Sequence, residues 1–333
     1  MFLDHTYIIL EAGSVHDGSF GNALKLIELA STLGADAIKF QTHIPESEST
    51  IDAPSPSYFR DETRFEYFHR TGFSRDQWHK LKAHADAYSI DFLSSPFSID
   101  AVSLLEDINI PYYKIPSGEV TNLPMLEVVG QTKKPVFLSS GMSNWQELDR
   151  AVDTLRKHHN NIVVMQCTSQ YPCSYESVGL NILHQMKKRW NVPTGYSDHT
   201  KDNYAIFAAV SMGASVVEKH FTFSRDMYGS DAQHSAEPAQ IRDLITGIRA
   251  IDLMRSHPVD KNDIGPYHDM KNIFEKSIVS QCFIAKGTVI DDHMLTMKKP
   301  GSGLSSYDLD DVLGKTALVD ISPDQLIKKN MLK

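Results

Sequence analysis

Cysteine is scarce in this chain. Cys167, Cys173 and Cys282 are an odd three in 333 residues, and none stands in a CxxC spacing. That excludes a disulfide framework or a structural zinc site as the basis of the fold and favours reduced thiols. Long apolar runs are missing, so no segment reads as a membrane span. An excess of positive charge is missing too: 33 Lys and Arg stand against 42 Asp and Glu, a net charge of −9. Nucleic acid is therefore not the expected partner, because phosphate backbones need a basic face. A small anion is still compatible, since a few lysines inside a pocket can hold phosphate on an acidic protein. The opening stretch MFLDHTYIILEAG has no basic n-region and no small-residue cleavage site, which predicts a cytoplasmic chain whose first strand begins at once. Low-complexity tracts, solenoid repeats, dinucleotide or P-loop glycine spacings, a nucleophile elbow and a readable Cys–His pair are likewise absent.

What is present is an alternation. Short β-rich runs at 7–13, 37–42, 92–97, 112–118, 135–141, 162–169, 193–199 and 216–221 are separated by stretches such as FGNALKLIELASTLG and NWQELDRAVDTLRK, with apolar residues three and four apart. Eight nearly continuous apolar strands with helices between them predict a closed parallel (β/α)₈ TIM barrel over residues 1–257. Two regions depart from the repeat. Residues 43–74 form a long, aromatic, proline-containing excursion, a candidate lid or substrate loop. After a polar linker at 258–276, residues 277–333 carry several short strands and turn signals and read as a small β-rich second domain. So few residues make a marginal core, which predicts that it leans on the barrel or on a partner subunit.

Polar residues collect at the C-terminal end of each run, where a barrel places its active site. His199 and His220 end runs seven and eight. A lone strand-end histidine usually caps its strand. Two at successive mouths, beside Asp198 and Glu218, point instead to a divalent metal completed by water and substrate oxygens. Lys39 and Lys114 alternate out of apolar strands. A lysine in a barrel mouth without a carboxylate of its own is costly unless it meets an anion, and Ser95, Ser117, Ser139, Ser169 and Ser197 add hydroxyls around that point. Glu11 and Glu119 bring carboxylates to the same mouth, as general acid or base, or to hold sugar hydroxyls or orient a lysine.

In order and spacing, EAGSVHDGSFGNALKLIELASTLGADAIKFQT, FLSSPFS, YYKIPSGEVTNLPML, LSSGMS, QCTSQYP, TGYSDHT and GASVVEKHFT resemble the sialic acid synthase family, and KKPGSGLSSYDLDDVLGK resembles its antifreeze-like (SAF) domain. The resemblance implies a synthase that condenses phosphoenolpyruvate with an N-acyl hexosamine to give a nine-carbon 2-keto sugar acid. It implies manganese or magnesium on His199 and His220. Phosphoenolpyruvate would lie against Lys39, Ser95, Lys114, Ser117, Ser139, Ser169 and Ser197, and the hexosamine near Glu11, Gln41, Tyr171, Glu218 and Asp231. Glu119 would stand beside the reacting enol. It also implies a domain-swapped homodimer in which the SAF domain reaches the partner's barrel. The chain departs from the family's pattern in three places: Lys299 stands where an arginine is usual before PGxG, VHDG with His16 and Asp17 replaces NHNG, and Ala232 replaces a histidine in GSDA. These bear on the acceptor sugar, which could be N-acetylmannosamine, its 6-phosphate or a diacetamido sugar. The rival readings are a metal-dependent barrel aldolase or epimerase that does not use phosphoenolpyruvate, and a non-catalytic carbohydrate-binding or assembly module.

Overall fold

Every second side chain of a strand points the same way, and here the two sets lie on either side of a closed cylinder. The computed structural model describes residues 5–55 and 62–333. Strands β1 (Tyr7–Glu11), β2 (Ala37–Thr42), β3 (Asp91–Pro96), β4 (Tyr113–Ile115), β5 (Val136–Ser139), β6 (Ile162–Cys167), β7 (Thr194–Asp198) and β8 (Val216–His220) pair in parallel in sequence order, and β8 closes on β1. The (β/α)₈ barrel expected from the alternation is thus observed. One set of side chains, among them Ile8, Leu10, Ile38, Phe92 and Val164, is buried under the helices. The other set fills the barrel floor with Tyr7, Ile9, Leu93, Phe137, Val163 and Met165.

The helices form for local reasons. Trp145–Arg156 starts at a capping box in which the Asn144 side chain accepts from the Glu147 amide and Glu147 accepts from the Asn144 amide, and it buries Leu148, Ala151, Val152 and Leu155 on one face. β4 is shorter than the expected 112–118 run, because Pro116 has no N–H for the ladder and Ser117–Glu119 turns into a 3₁₀ helix. The excursion contains helices Pro45–Glu48 and Arg64–Thr71; its residues 56–61 lie outside the described ones. It is tied to the β1 loop by Arg70, whose guanidinium donates to Asp17 Oδ1 from both Nη atoms at 3.1 Å and to Glu62 Oε1 at 2.7 Å. The aspartate at position 17 therefore has a cation of its own.

Residues 258–333 separate from 5–257 as a second unit. Part of the segment read as linker is helical, with a 3₁₀ turn at Gly265–Tyr267 and a helix at His268–Phe274. Strands β9 (Ser277–Ser280) and β10 (Leu295–Lys298) pair antiparallel, and Ile278, Ile284, Ile290, Val312, Ile321 and Ile327 form a core of the unit's own. Lys299 is exposed here, its ammonium 5.2 Å from the centroid of the Phe274 ring. Among the described residues no helix is long and apolar enough to cross a membrane.

Candidate functional site

Above the apolar floor the inward positions turn polar. The two-residue period leads from Ile9 to Glu11, from Ala37 through Lys39 to Gln41, from Leu93 to Ser95 and from Val216 through Glu218 to His220. Register sets these side by side: Glu11 lies opposite Lys39 on one side and His220 on the other, and Ser197 lies opposite Glu218. A cavity of about 600 Å³ opens there, a size suited to a small-molecule ligand. Glu11, Lys39, Gln41, Ser95, Lys114, Ser117, Ser139, Ser169, Tyr171, Ser197, His199, Glu218, His220 and Asp231 all line it.

Two candidates do not. Glu119 lies one residue beyond the wall formed by Pro116, Ser117 and Gly118; its half-buried carboxylate accepts from Asn122 Nδ2 at 2.8 Å, and burial raises its pKa against that hydrogen bond. Lys299 belongs to the second unit. Asp198, expected beside the histidines, has the wrong parity. It points out of the barrel to Lys219 Nζ, 2.5 Å away, which also donates to the carbonyls of Thr200 and Asp202. The cavity also has walls that sequence reasoning did not single out, including Ser14, Phe97, Met142, Cys167 and His234. His234 lies in an irregular 3₁₀ turn, where no periodicity could have revealed it, two residues after the fully buried Ala232.

The lysines are not without carboxylates, contrary to the expectation. Lys39 Nζ is 2.7 Å from Glu11 Oε2 and donates to Ser95 Oγ at 3.2 Å. Glu218 Oε1 accepts from Lys114 at 3.3 Å and from Ser197 Oγ at 3.2 Å, with Lys39 at 3.8 Å. Its other oxygen is buried with no hydrogen-bond partner. The two carboxylates titrate in opposite directions. Burial pushes Glu11 up to about 7 despite Lys39, whereas at Glu218 burial is outweighed by Lys114 and Lys39, which hold it down at about 2. For Lys39 burial is likewise outweighed, by Glu11 and Glu218, and its pKa is raised. Near neutrality, then, one carboxylate is fixed as an anion and the other is poised to take or lose a proton.

The loop after β5 closes the hydroxyl side. A Cβ on Gly141 would stand 2.5 Å from Ser169 Oγ, 2.7 Å from Ser117 Oγ and 3.2 Å from Cys167 Sγ, so only glycine lets the backbone pass between them.

The imidazoles suit a divalent cation. The rings of His199 and His220 have centroids 5.5 Å apart. His199 donates from Nδ1 to the Thr168 carbonyl at 2.8 Å, the kind of outer hydrogen bond that fixes a ligating tautomer and leaves the Nε2 lone pair available. Burial, helped by His199, holds His220 down at about 4, so it is neutral and able to ligate at pH 7. Among the described residues no three His, Cys, Asp or Glu side chains are gathered at metal-ligand spacing, so two imidazoles would leave most of the coordination sphere to water and substrate. Cys167, whose pairing with a histidine could not be read in the sequence, lies 3.9 Å from His199 Nδ1.

A family model described as the NeuB family matches residues 26–259, and one described as the SAF domain matches residues 277–333. The chain is 35% identical to the N,N'-diacetyllegionaminic acid synthase of Campylobacter jejuni, over 97% of this chain and 99% of that one. It is 30% identical to the N-acetylneuraminate-9-phosphate synthase of Homo sapiens, over 98% and 92%. Among solved structures it is similar to the N-acetylneuraminic acid (sialic acid) synthetase of Leptospira borgpetersenii in complex with citrate, at 28% identity and a TM-score of 0.71, covering 80% of this chain and 92% of that one.

Proposed function

Because the chain belongs to the NeuB family and carries a SAF domain, we propose that it is a nonulosonate synthase which joins phosphoenolpyruvate to an N-acyl hexosamine in the cytoplasm, releasing inorganic phosphate. The observation that carries this reading is the pairing, in one cavity, of two buried lysines ringed by hydroxyls with two imidazoles, His199 buried and His220 half-buried. That set offers an anion site next to a carbonyl site.

In the proposed reaction Lys39 and Lys114, with Ser95, Ser139 and Ser197, bind the charged groups of phosphoenolpyruvate, while Ser117 and Ser169 complete the hydroxyl wall. Glu11, Gln41, Tyr171, Glu218 and Asp231 orient the open-chain sugar. His199 and His220 would hold a divalent ion, manganese or magnesium, which when bound would supply Lewis acidity toward the sugar's carbonyl. The enol C3 forms a bond to the aldehyde carbon, whose oxygen takes up a proton, and cationic character develops at C2. Water adds at C2 and gives up a proton; for Glu119 to take it, the Ser117–Glu119 turn has to carry that carboxylate inward, since it stands one residue beyond the cavity wall. Collapse of the resulting hemiketal phosphate forms the C2 carbonyl as the C2 hydroxyl passes its proton to the leaving phosphate and the C2–O bond to phosphorus breaks, and the lysines stabilise the departing phosphate. The same proposal includes a domain-swapped homodimer in which Lys299 takes the place of an arginine near the partner's sugar, with one donor head in place of a planar fork.

The test is phosphate release from phosphoenolpyruvate with manganese, comparing N-acetylmannosamine, its 6-phosphate and a 2,4-diacetamido-trideoxyhexose. Release that depends on an acceptor is expected, and the best acceptor names the sugar class. Cleavage or isomerisation of a sugar phosphate with no use of phosphoenolpyruvate would establish the aldolase or epimerase reading instead. For the metal, His220→Ala is expected to weaken manganese binding, measured by calorimetry without substrate, by more than about a hundredfold, beyond the loss typical for an outer-shell partner. Unchanged affinity would remove the imidazole pair from metal binding.

A further inference from the structure

One buried histidine is not used by this mechanism. His43 follows β2 at the root of the excursion, its side chain only 8% exposed. Its ring is stacked between Phe68, at 3.6 Å between centroids and 16° between planes, and Phe97, at 4.0 Å and 23°. With both faces covered, both nitrogens are also engaged: Nδ1 is 3.0 Å from each oxygen of Glu48, and Nε2 is 3.1 Å from Gln41 Oε1. Gln41 continues the chain by donating from its amide nitrogen to Glu11 Oε1 at 2.8 Å. Gln41, Glu11, Phe68 and Phe97 line the cavity, and His43 lies behind them.

An amide has a donating end and an accepting end, whereas a carboxylate only accepts. Gln41 must therefore turn its NH₂ to Glu11, and its oxygen is then left to accept from the opposite side. Nε2–H of His43 is the donor there; because Nδ1 faces the Glu48 carboxylate, the ring donates on both sides only as an imidazolium, a form that burial opposes and Glu48 supports. If that donor were lost, a flipped Gln41 would set its oxygen against a carboxylate oxygen, or an unflipped one would lose the protein donor that fixes its orientation. We infer that His43 is a positioning residue for the acceptor sugar: it fixes the Gln41 amide, and through it Glu11, in the orientation the hexosamine meets. This rests on the synthase reading above. It also gives the excursion a task, because Glu48 holds the ring, Arg64 stands 3.7 Å from Glu48, and Phe68 covers one face. Three residues of that segment thus act on the sugar side of the pocket through one imidazole.

His43→Phe keeps the three-ring stack and removes both hydrogen bonds. It is expected to raise KM for the acceptor about tenfold, with KM for phosphoenolpyruvate within about twofold of wild type. If His43 acts through Gln41, the double variant Gln41→Leu with His43→Phe loses no more than Gln41→Leu alone. His43→Gln, which still offers an N–H to Gln41, should recover part of the loss and serves if the phenylalanine variant folds poorly. Additive losses, or equal rises in both KM values, would overturn the inference while leaving the synthase reading intact. Wild-type enzyme that releases no phosphate with any acceptor would overturn both.

Discussion

Lys114→Met is expected to lower kcat/KM for phosphoenolpyruvate by about a thousandfold, the scale associated with removing a preorganised group that meets developing charge. Methionine preserves the length and the apolar stem, so β4 and the barrel wall should keep their packing. What disappears is the ammonium between Ser139 Oγ and Glu218 Oε1, each 3.3 Å away. Lys39 cannot replace it, because its own charge is committed to Glu11 at 2.7 Å and it reaches Glu218 only at 3.8 Å. The loss is therefore expected in kcat as well as in KM, since the same charge binds phosphoenolpyruvate and stabilises the departing phosphate. Lys114→Arg should not restore activity: its broader planar head has no room between two partners arranged for a compact ammonium. Steady-state kinetics with both variants checks this, and a loss smaller than tenfold in Lys114→Met would remove Lys114 from the anion site.

Much of this arrangement was legible in the sequence because a strand's period of two is rigid. Lys39, Ser95, Glu218 and His220 each sit an even number of residues from an apolar floor position of their own strand, so their common direction follows from counting. The same count excludes Asp198, which is one residue from Ser197 and one from His199 and so must face the other way; grouping it with the histidines by adjacency ignored that parity. Pairings across strands were harder. That Lys39 meets Glu11 and Lys114 meets Glu218 depends on barrel register, which links β1 with β2 and reaches from β4 across the mouth to β8. Glu119 shows the limit of reading polar strand ends as one ring: Pro116 ends β4, and the following 3₁₀ turn takes Glu119 away from the wall. His43 and His234 were out of reach altogether, because each acquires its place from a stack or a turn that brings together residues far apart in the chain.

Glu218→Ala is expected to cause the largest loss of stability of any single change in the cavity, about 3–5 kcal/mol, the range for breaking a buried ion pair from one side. One oxygen of this carboxylate faces Lys114, Ser197 and Lys39 together, so its removal leaves two buried ammonium groups with only Glu11 between them. Glu11 is a weak substitute, since burial lifts its pKa to about 7 and part of its population is neutral near physiological pH. The dependence on pH separates the two carboxylates. Glu218, held down at about 2 once the lysines outweigh burial, binds its proton more weakly folded than unfolded. Its stabilisation is thus complete above about pH 4.3, the unfolded value, and is lost as pH falls toward 2. Glu11 has the opposite sign: its raised pKa favours folding most below about pH 4.3, and that contribution is lost as pH rises through about 7. Urea unfolding of wild type and Glu218→Ala should therefore show a full gap at pH 6 that narrows below pH 4, where Glu218 begins to protonate in the unfolded chain. Adding Lys114→Met to Glu218→Ala should return part of the lost stability by removing one of the stranded charges. A gap that stays constant from pH 6 to pH 3, with no recovery in the double variant, would mean that the loss comes from packing and that the carboxylate is not what holds the two lysines in the barrel mouth.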